Sequence, residues 1–305
     1  MESIPFSGTD PVLLPSPLQV GDKVRFVSPA STPEKEAVLQ GAKVFESWGL
    51  DVDFGAHAFG KVAYLAGTDD ERLANFNDAL RDPTVRAIIA TRGGKGSYRI
   101  ADRLDFETAR RDPKFVVGFS DITMLHLSLW KHCRLVGIHG SLLGDGQKSD
   151  SLRRALMASD DIVLHARADE ETSALTTEGR TTGRLIGGNL DMIATAAGWS
   201  LPPLNGAILL IEAVNMYLGQ VDRQFTMLRK AGHLAGLAGV AVGQFTDFQP
   251  HDNFTIIDLL RDHLGPLKVP ILGGLPLGHG RQPESIRVGS MASLDAASGT
   301  LAIFR

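Results

Sequence analysis

The chain has 305 residues, more than a single hydrophobic core normally serves, so its length predicts two domains. Apolar residues make up 43% and charged residues 22%, as in ordinary globular proteins. The formal net charge of −4 argues against a nucleic-acid partner, and no apolar run is long enough to span a membrane. The single cysteine, Cys133, excludes an internal disulfide and fits a reducing compartment. Together these features predict a cytoplasmic protein.

Short apolar runs alternate with helical patterns through the first half of the chain. Predicted strands cover 23–27, 51–54, 85–90 and 114–118, and predicted helices lie at about 33–48 and 69–80. Alternating strands and helices predict a parallel sheet covered by helices on both faces. Ligands of such sheets bind beyond the carboxyl ends of the strands.

The second half has a different pattern, which predicts a smaller mixed α/β domain. Predicted strands lie at 184–186, 207–211, 239–243 and 301–304, and predicted helices lie near 189–197, 220–231 and 253–264. The intervening sequence is polar and irregular. We therefore expect a flexible tail at 1–17, a first domain at 18–148, a linker at 149–180 and a second domain at 181–305.

Ser120 stands where a predicted strand ends and a helical pattern begins. A serine at such a junction projects its hydroxyl from the sheet edge, near the free N–H groups of the first helical turn. This is the logic of a nucleophile elbow, although G-x-S-x-G would need glycine in place of Ile122. The alternative is that Ser120 only caps the helix.

Glu212 and His279 also follow apolar runs. A carboxylate at the end of a buried strand is costly unless it is paired, although Glu212 could also face solvent. Glycines flank His279 and would let the backbone turn sharply and expose an imidazole suited to proton transfer near neutrality. Serine, glutamate and histidine at strand ends are the components of a serine hydrolase.

The pair Gly93-Gly94 would let backbone N–H groups approach a ligand with no Cβ in the way. A phosphate-binding loop is the competing interpretation, but neither the P-loop nor the dinucleotide-binding spacing is present. Ser128 and Lys131 match the serine/lysine hydrolase spacing inside a predicted helix, without the partner motifs. No metal-ligand pattern is visible, and His126 and His132 are expected to be packing or surface residues.

The chain resembles the LD-carboxypeptidase family of serine peptidases, which includes the microcin-immunity peptidases, from Leu18 to the C-terminus. The motifs that carry the resemblance are Arg92-Gly93-Gly94-x-Gly96-Ser97, Gly118-Phe119-Ser120-Asp121-Ile122-Thr123, Ile138-His139-Gly140, Gly187-Gly188-Asn189-Leu190, Leu210-Ile211-Glu212 with Val221-Asp222-Arg223, and Gly278-His279. Their order and spacing together are specific.

The resemblance implies an N-terminal flavodoxin- or Rossmann-like domain with a parallel sheet and a C-terminal swivelling mixed α/β domain. It also implies a metal-free triad with Ser120 as nucleophile, His279 as general base and Glu212 as its orienting acid. The oxyanion hole would come from backbone N–H groups of Asp121 and of Gly93 and Gly94.

The reaction that the resemblance implies is removal of the terminal D-alanine from a murein tetrapeptide, with no cofactor and with a small muropeptide as partner. Lys95 or Arg92 would bind the substrate carboxylate, and Asn189 is a further candidate substrate-binding residue. The family usually has tyrosine at Lys95 and a Gly-Thr pair at the position of Gly198-Trp199. The family is often dimeric, so a homodimer is compatible with the resemblance.

Two alternatives remain open. A relative of the microcin-immunity type would hydrolyse a peptidyl-nucleotide amide and would need aromatic side chains for nucleobase stacking, for which Trp199 is a candidate. A non-catalytic peptide-binding protein could also use this fold, but all three triad positions are intact.

Overall fold

The computed structural model describes residues 11–140 and 146–305. Its strands are β1 (Lys23–Val27), β2 (Asp51–Phe54), β3 (Val85–Ala90), β4 (Phe115–Gly118), β5 (Gly137–His139), β6 (Ile162–His165), β7 (Arg180–Asn189), β8 (Ala207–Val214), β9 (Gly239–Thr246), β10 (Ile271–Leu272), β11 (Ile286–Val288), β12 (Met291–Asp295) and β13 (Thr300–Ile303). Its α-helices are α1 (Lys35–Ser47), α2 (Asp69–Arg81), α3 (Phe106–Arg111), α4 (Thr123–Cys133), α5 (Gly146–Met157), α6 (Leu190–Ala196), α7 (Leu218–Lys230) and α8 (Ile256–Leu264).

The first sheet has the strand order β11-β5-β4-β3-β1-β2. Strands β1 to β5 pair in parallel, and β11 joins the edge in the antiparallel direction. Every residue of β4 and β5 is buried, as expected for a parallel sheet with both faces covered. The predicted parallel-sheet domain is confirmed.

The second sheet has the order β10-β9-β8-β7-β12-β13-β6. Strands β7 to β10 pair in parallel, whereas β12, β13 and β6 pair in the antiparallel direction. This is the predicted mixed α/β domain. The sequence analysis located four of its strands and did not identify β6, β10 or β12.

Local signals account for several boundaries. Thr68 and Glu71 form a reciprocal capping box at the start of α2, and Thr255 and Asp258 do the same at α8. With Thr255 as its cap, helix α8 begins at Ile256, later than the predicted start at 253. The start of α8 therefore follows the cap chemistry more closely than the apolar periodicity.

Parts of the predicted tail and linker take defined structure. The backbone of Leu13 exchanges hydrogen bonds with Arg134 and Val136, while residues 1–10 lie outside the described residues. The predicted linker at 149–180 contains most of α5 and all of β6. In β6 buried and exposed residues alternate, because one face of this edge strand meets the core and the other meets solvent.

The two domains share apolar contacts. Helix α4, which follows Ser120, packs against α6, which follows Asn189. The side chains of Met124 and Ile193 belong to the same buried cluster. The carboxyl ends of β4 and β8 are thereby brought to one region of the molecule.

Candidate active site

Ser120 occupies a strained turn directly after β4. Its φ is +60°, a left-handed conformation that non-glycine residues rarely adopt. It begins the short 3₁₀ turn Ser120–Ile122, at whose N-cap position Phe119 stands without a side-chain hydrogen bond. Ser120 therefore does not cap the helix, and the elbow interpretation fits the backbone.

The segment Arg92–Ser97, termed here the glycine loop, lies against Ser120. A Cβ on Gly93 would come within 3.0 Å of the Ser120 Cβ and 3.3 Å of the Asp121 nitrogen. Gly94 has φ +104°, and a Cβ there would lie 2.5 Å from Ser31 Oγ. Only glycine fits this approach at both positions.

Three backbone N–H groups near Ser120 remain open. Within the described residues, the N–H groups of Gly93, Gly94 and Asp121 donate no hydrogen bond to the protein. Unpaired backbone donors at the start of a helical turn favour negative charge. The arrangement can therefore accept an oxyanion beside Ser120.

Glu212 and His279 form a buried pair. His279 Nδ1 lies 2.7 Å from Glu212 Oε2, and Glu212 is fully buried within β8, two residues before the strand ends. Gly278 makes the approach feasible, because its φ is +121° and a Cβ would lie 2.7 Å from Glu212 Oε2. Glu212 is thus a partnered interior acid and does not face solvent.

A cleft of about 580 Å³ brings Ser120 and His279 together. Both residues line it with Gly93 and Gly94, and the His279 and Phe119 ring centroids lie 4.7 Å apart. Both side chains belong to the described residues, and no hydrogen bond joins them. The cleft therefore contains both Ser120 and His279, without a hydrogen bond between their side chains.

His279 also lines a second and more polar cleft of about 970 Å³. Arg167, Arg281 and Asp247 are among the charged residues that line it. Gln244 fixes this wall, because its side chain accepts from the Gly280 N–H and donates to the Arg281 carbonyl. His279 therefore lines both clefts.

The three residues proposed to bind substrate take different positions. Arg92 lines the first cleft and, among the described residues, makes a single hydrogen bond, of 3.3 Å from Nη1 to the Thr32 carbonyl. Lys95 Nζ instead lies 3.7 Å from the Asp191 carboxylate and does not line the cleft. Asn189 is buried and pairs with Glu212 in the β7–β8 register, while its N–H donates to Thr123 Oγ1. Arg92 alone of the three faces the cleft.

His139 is a residue of this region that the sequence analysis did not select as functional. It pairs with Gly118 across the β4–β5 ladder and is almost fully buried, and neither ring nitrogen is bonded to any described residue. Burial, together with the nearby His126 and His279, lowers the pKa of His139 to about 3. Its neutral ring therefore packs beneath Phe119 as part of the support for the turn.

The weaker candidates have structural roles. Ser128 donates to the Ala101 carbonyl and Lys131 to the Trp199 carbonyl, so the serine/lysine spacing does not form a catalytic pair. His126 bonds to the Val116 carbonyl, and burial lowers its pKa to about 4. Burial raises the pKa of the Cys133 thiol to about 12.

Trp199 and His132 lie away from the reacting groups. Trp199 contacts Lys131, close to the C-terminus of α4, whereas Ser120 precedes the N-terminus of that helix. His132 stacks on Phe106. Over residues 11–140 and 146–305, no group of three or more acidic, histidine or cysteine side chains could hold a metal ion. None of the helices in that part of the chain is long and apolar enough to cross a membrane.

Comparison with known families matches both halves of the chain. A family model described as the LD-carboxypeptidase N-terminal domain matches residues 24–140, and the LD-carboxypeptidase C-terminal domain matches residues 182–294. A Bacillus subtilis protein named "Probable murein peptide carboxypeptidase" is 32% identical over 298 residues, covering 95% of this chain and 93% of the relative. The murein tetrapeptide carboxypeptidase of Pseudomonas aeruginosa is 29% identical and covers 90% of this chain and 94% of its own.

Solved structures share the whole fold. The microcin C7 self immunity protein MccF superposes with a TM-score of 0.86 at 23% identity, covering 96% of this chain and 98% of its own. The muramoyltetrapeptide carboxypeptidase from Oxalobacter formigenes gives a TM-score of 0.81 at 24% identity, covering 93% and 99%. The Escherichia coli microcin C7 self-immunity protein is also a sequence relative, 24% identical over 328 residues and covering 95% of each chain.

Fold and sequence together define a peptidase of the hydrolase class. The chain belongs to the LD-carboxypeptidase family.

Proposed function

We propose that this protein is a serine-type LD-carboxypeptidase that removes the terminal D-alanine of a murein tetrapeptide during peptidoglycan recycling in the cytoplasm. The observation that carries the proposal is the cleft that Ser120 and His279 share. Ser120 stands on a strained turn, and His279 is paired with buried Glu212. Relatives named for murein peptides support the substrate class.

In the proposed reaction, Ser120, His279 and Glu212 form the triad. A carboxylate only accepts hydrogen bonds, so His279 donates from Nδ1 to Glu212 and leaves Nε2 able to accept a proton. Ser120 Oγ attacks the carbonyl carbon of the L,D bond while its proton passes to Nε2. The serine–histidine hydrogen bond forms as the substrate binds, as such bonds commonly tighten in the bound complex.

The intermediate then breaks its C–N bond, and His279 returns the proton to the leaving amine of D-alanine. Water hydrolyses the acyl-enzyme by the same proton path in reverse and releases the tripeptide. The open N–H groups of Gly93, Gly94 and Asp121 support their proposed role as donors to the developing oxyanion.

We further propose that Arg92, and not Lys95, binds the carboxylate of the terminal D-residue. Arg92 lines the cleft and has one long hydrogen bond to exchange, whereas Lys95 faces Asp191. A guanidinium also matches the planar carboxylate in a bidentate geometry. For Asn189 we propose a positioning role, because its contact with Thr123 joins the strand of Glu212 to the helix that follows Ser120.

The alternative substrate is a peptidyl-nucleotide amide, which the microcin C7 immunity relative brings into consideration. Trp199, the aromatic candidate for nucleobase stacking, lies near the far end of α4 from Ser120. The murein peptide therefore remains the substrate that we favour, and a homodimer stays a prediction.

Incubation with muramyl tetrapeptide, followed by chromatographic detection of D-alanine, tests the proposal. Wild-type protein should release D-alanine in the presence of a chelator, because the proposed triad uses no metal. Ser120→Ala should stay folded and lose nearly all turnover, since loss of a triad nucleophile costs roughly 10⁶ in kcat in a studied protease. Full activity in Ser120→Ala would rule out the triad. Hydrolysis of a peptidyl-nucleotide amide alone would reassign the substrate.

A further inference from the structure

Two buried residues fasten the glycine loop to the turn that bears Ser120. The Ser97 N–H donates to Asp121 Oδ2 at 2.8 Å, and Ser97 Oγ donates to the Asp121 carbonyl at 2.6 Å. Ser97 is fully buried and Asp121 is 2% exposed. The loop that carries Gly93 and Gly94 is thus bonded twice to the residue after the proposed nucleophile.

The rest of the glycine loop is held from the opposite side. The Lys95 N–H donates to Ser31 Oγ at 3.0 Å, and the Ser31 N–H donates to the Gly93 carbonyl at 3.3 Å. Arg72 Nη1 donates to the Gly96 carbonyl at 2.9 Å. These contacts hold the loop to Ser31 and to α2, whereas the Ser97–Asp121 contact joins it to the turn that bears Ser120.

The Asp121 carboxylate is buried at a cost in free energy, and its side chain makes one hydrogen bond in return. Its Oδ1 is buried and has no hydrogen-bond partner among residues 11–140 and 146–305. Burial raises the pKa of Asp121, while the Ser97 hydrogen bonds and the charges of Lys95 and Arg72 act in the opposite direction. A carboxylate with one unpartnered oxygen beside a developing oxyanion is unfavourable in itself, so packing alone gives no reason for it.

We infer that Asp121 and Ser97 are positioning residues that hold the N–H groups of Gly93 and Gly94 at the spacing from Ser120 that the oxyanion requires. This inference rests on the proposed serine mechanism and assigns the Asp121 side chain a function besides that of its backbone N–H. Donors stabilise an oxyanion only over a narrow range of distance, so a shift of about 1 Å in the loop would cost rate more than ground-state binding.

The test compares Asp121→Ala with Asp121→Asn. Both remove the charge, but asparagine keeps an oxygen that can accept from the Ser97 N–H. The primary readout is the rate at which a phosphonofluoridate modifies Ser120, measured by intact mass, because the phosphoryl oxygen of the reagent also uses the oxyanion donors. Steady-state kcat and KM for muramyl tetrapeptide form the second readout.

We expect Asp121→Ala to lower the modification rate and kcat by about 10- to 100-fold with KM within about threefold, and Asp121→Asn to recover most of the loss. Equal rates in the two variants would overturn the inference. If Asp121→Ala does not fold, Ser97→Ala is compared with Ser128→Ala, a matched loss of a buried hydroxyl that bonds to the Ala101 carbonyl and not to Asp121. A rate loss in Ser97→Ala alone supports positioning, and an equal effect in both overturns it.

The two proposals fail in different ways. Wild-type protein that is modified at Ser120 but releases no D-alanine would remove the murein substrate, and the modification rates would still decide the positioning role. Wild-type protein that is never modified at Ser120 would remove the serine mechanism and, with it, the inference about Asp121 and Ser97.

Discussion

Ile286, from the C-terminal part of the chain, pairs with His139 at the edge of the first sheet. His139 in turn pairs with Gly118, two residues before Ser120. The segment that carries His279 runs directly into this contact, so the second half of the chain returns to the strand that presents the serine. Strand β11 therefore anchors the His279 loop to the domain that contains Ser120.

The Glu212–His279 pair gives the first prediction. Glu212→Gln should keep the fold but lower kcat by about 10²–10⁴ with little change in KM, because the amide cannot hold the imidazole in the required tautomer as a carboxylate does. Stopped-time assays of D-alanine release would measure the effect.

A matched control exists in the second domain. His263 Nε2 lies 2.9 Å from Asp222 Oδ1, away from both clefts. Asp222→Asn makes the same acid-to-amide change in an acid–histidine pair whose carboxylate is 57% exposed, and it should leave kcat unchanged. A comparable loss in both variants would mean that Glu212 acts through stability and not through His279.

Arg92 and Lys95 give the second prediction. Arg92→Met should raise KM for tetrapeptide by about 10-fold or more, because it removes a charged hydrogen bond to the substrate carboxylate. Lys95→Met should leave KM within about twofold, since the Lys95 side chain is 60% exposed and pairs with Asp191. Wild-type KM should also rise with salt more steeply than that of Arg92→Met. The opposite ranking of the two variants would assign the carboxylate to Lys95.

Gly278 gives the third prediction. Alanine there must adopt φ +121° and place its Cβ 2.7 Å from Glu212 Oε2. Gly278→Ala should lower the free energy of unfolding by about 1–3 kcal/mol and lower kcat, because the Glu212–His279 pair must separate. Gly219→Ala is the control, since α7 leaves open space around that glycine. Chemical denaturation should show Gly219→Ala equal to or more stable than wild type, with kcat unchanged.

Much of this architecture can be predicted from the sequence. Strands β1, β2 and β3 have the bounds that the apolar runs predict, and the resemblance indicated both domains before the structure. The sequence also nominated Ser120, Glu212 and His279 separately, because each follows an apolar strand. The sequence does not show which strands pair, and that strand pairing brings the three residues together.

Strand β11 illustrates the reason. It has three residues, and its central Arg287 is buried, with Nη2 donating to the Asp160 carbonyl. A buried arginine breaks the apolar pattern on which strand prediction depends. The left-handed φ of Ser120 and the contact between Asp121 and Ser97 likewise depend on residues distant in the chain, so local pattern does not encode them.

The last prediction concerns acid stability and the two histidines buried beside the first sheet. In the unfolded chain a histidine binds a proton below about pH 6.5. In the folded protein, burial lowers the pKa of His126 to about 4 and that of His139 to about 3. Between these values the unfolded state binds more protons, so stability is present above about pH 6.5 and is lost as the pH falls below it.

Each histidine should contribute a slope of up to about 1.4 kcal/mol per pH unit in the free energy of unfolding, starting below pH 6.5. Carboxylates whose pKa is lowered act in a lower window, whereas the raised pKa of buried Asp121 acts in the opposite direction to the histidines. Hydrogen bonds from Thr84, with help from Arg25, lower the pKa of Asp82 to about 2 from an ordinary value of 3.8, so its contribution is lost only below about pH 4. Urea unfolding of wild type and His126→Gln at intervals between pH 7 and pH 4.5 therefore isolates the contribution of one ring. His126→Gln should reduce the slope of the free energy of unfolding by up to about 1.4 kcal/mol per pH unit. The same slope in both proteins from pH 6.5 to pH 4.5 would show that the fold does not hold the His126 ring neutral.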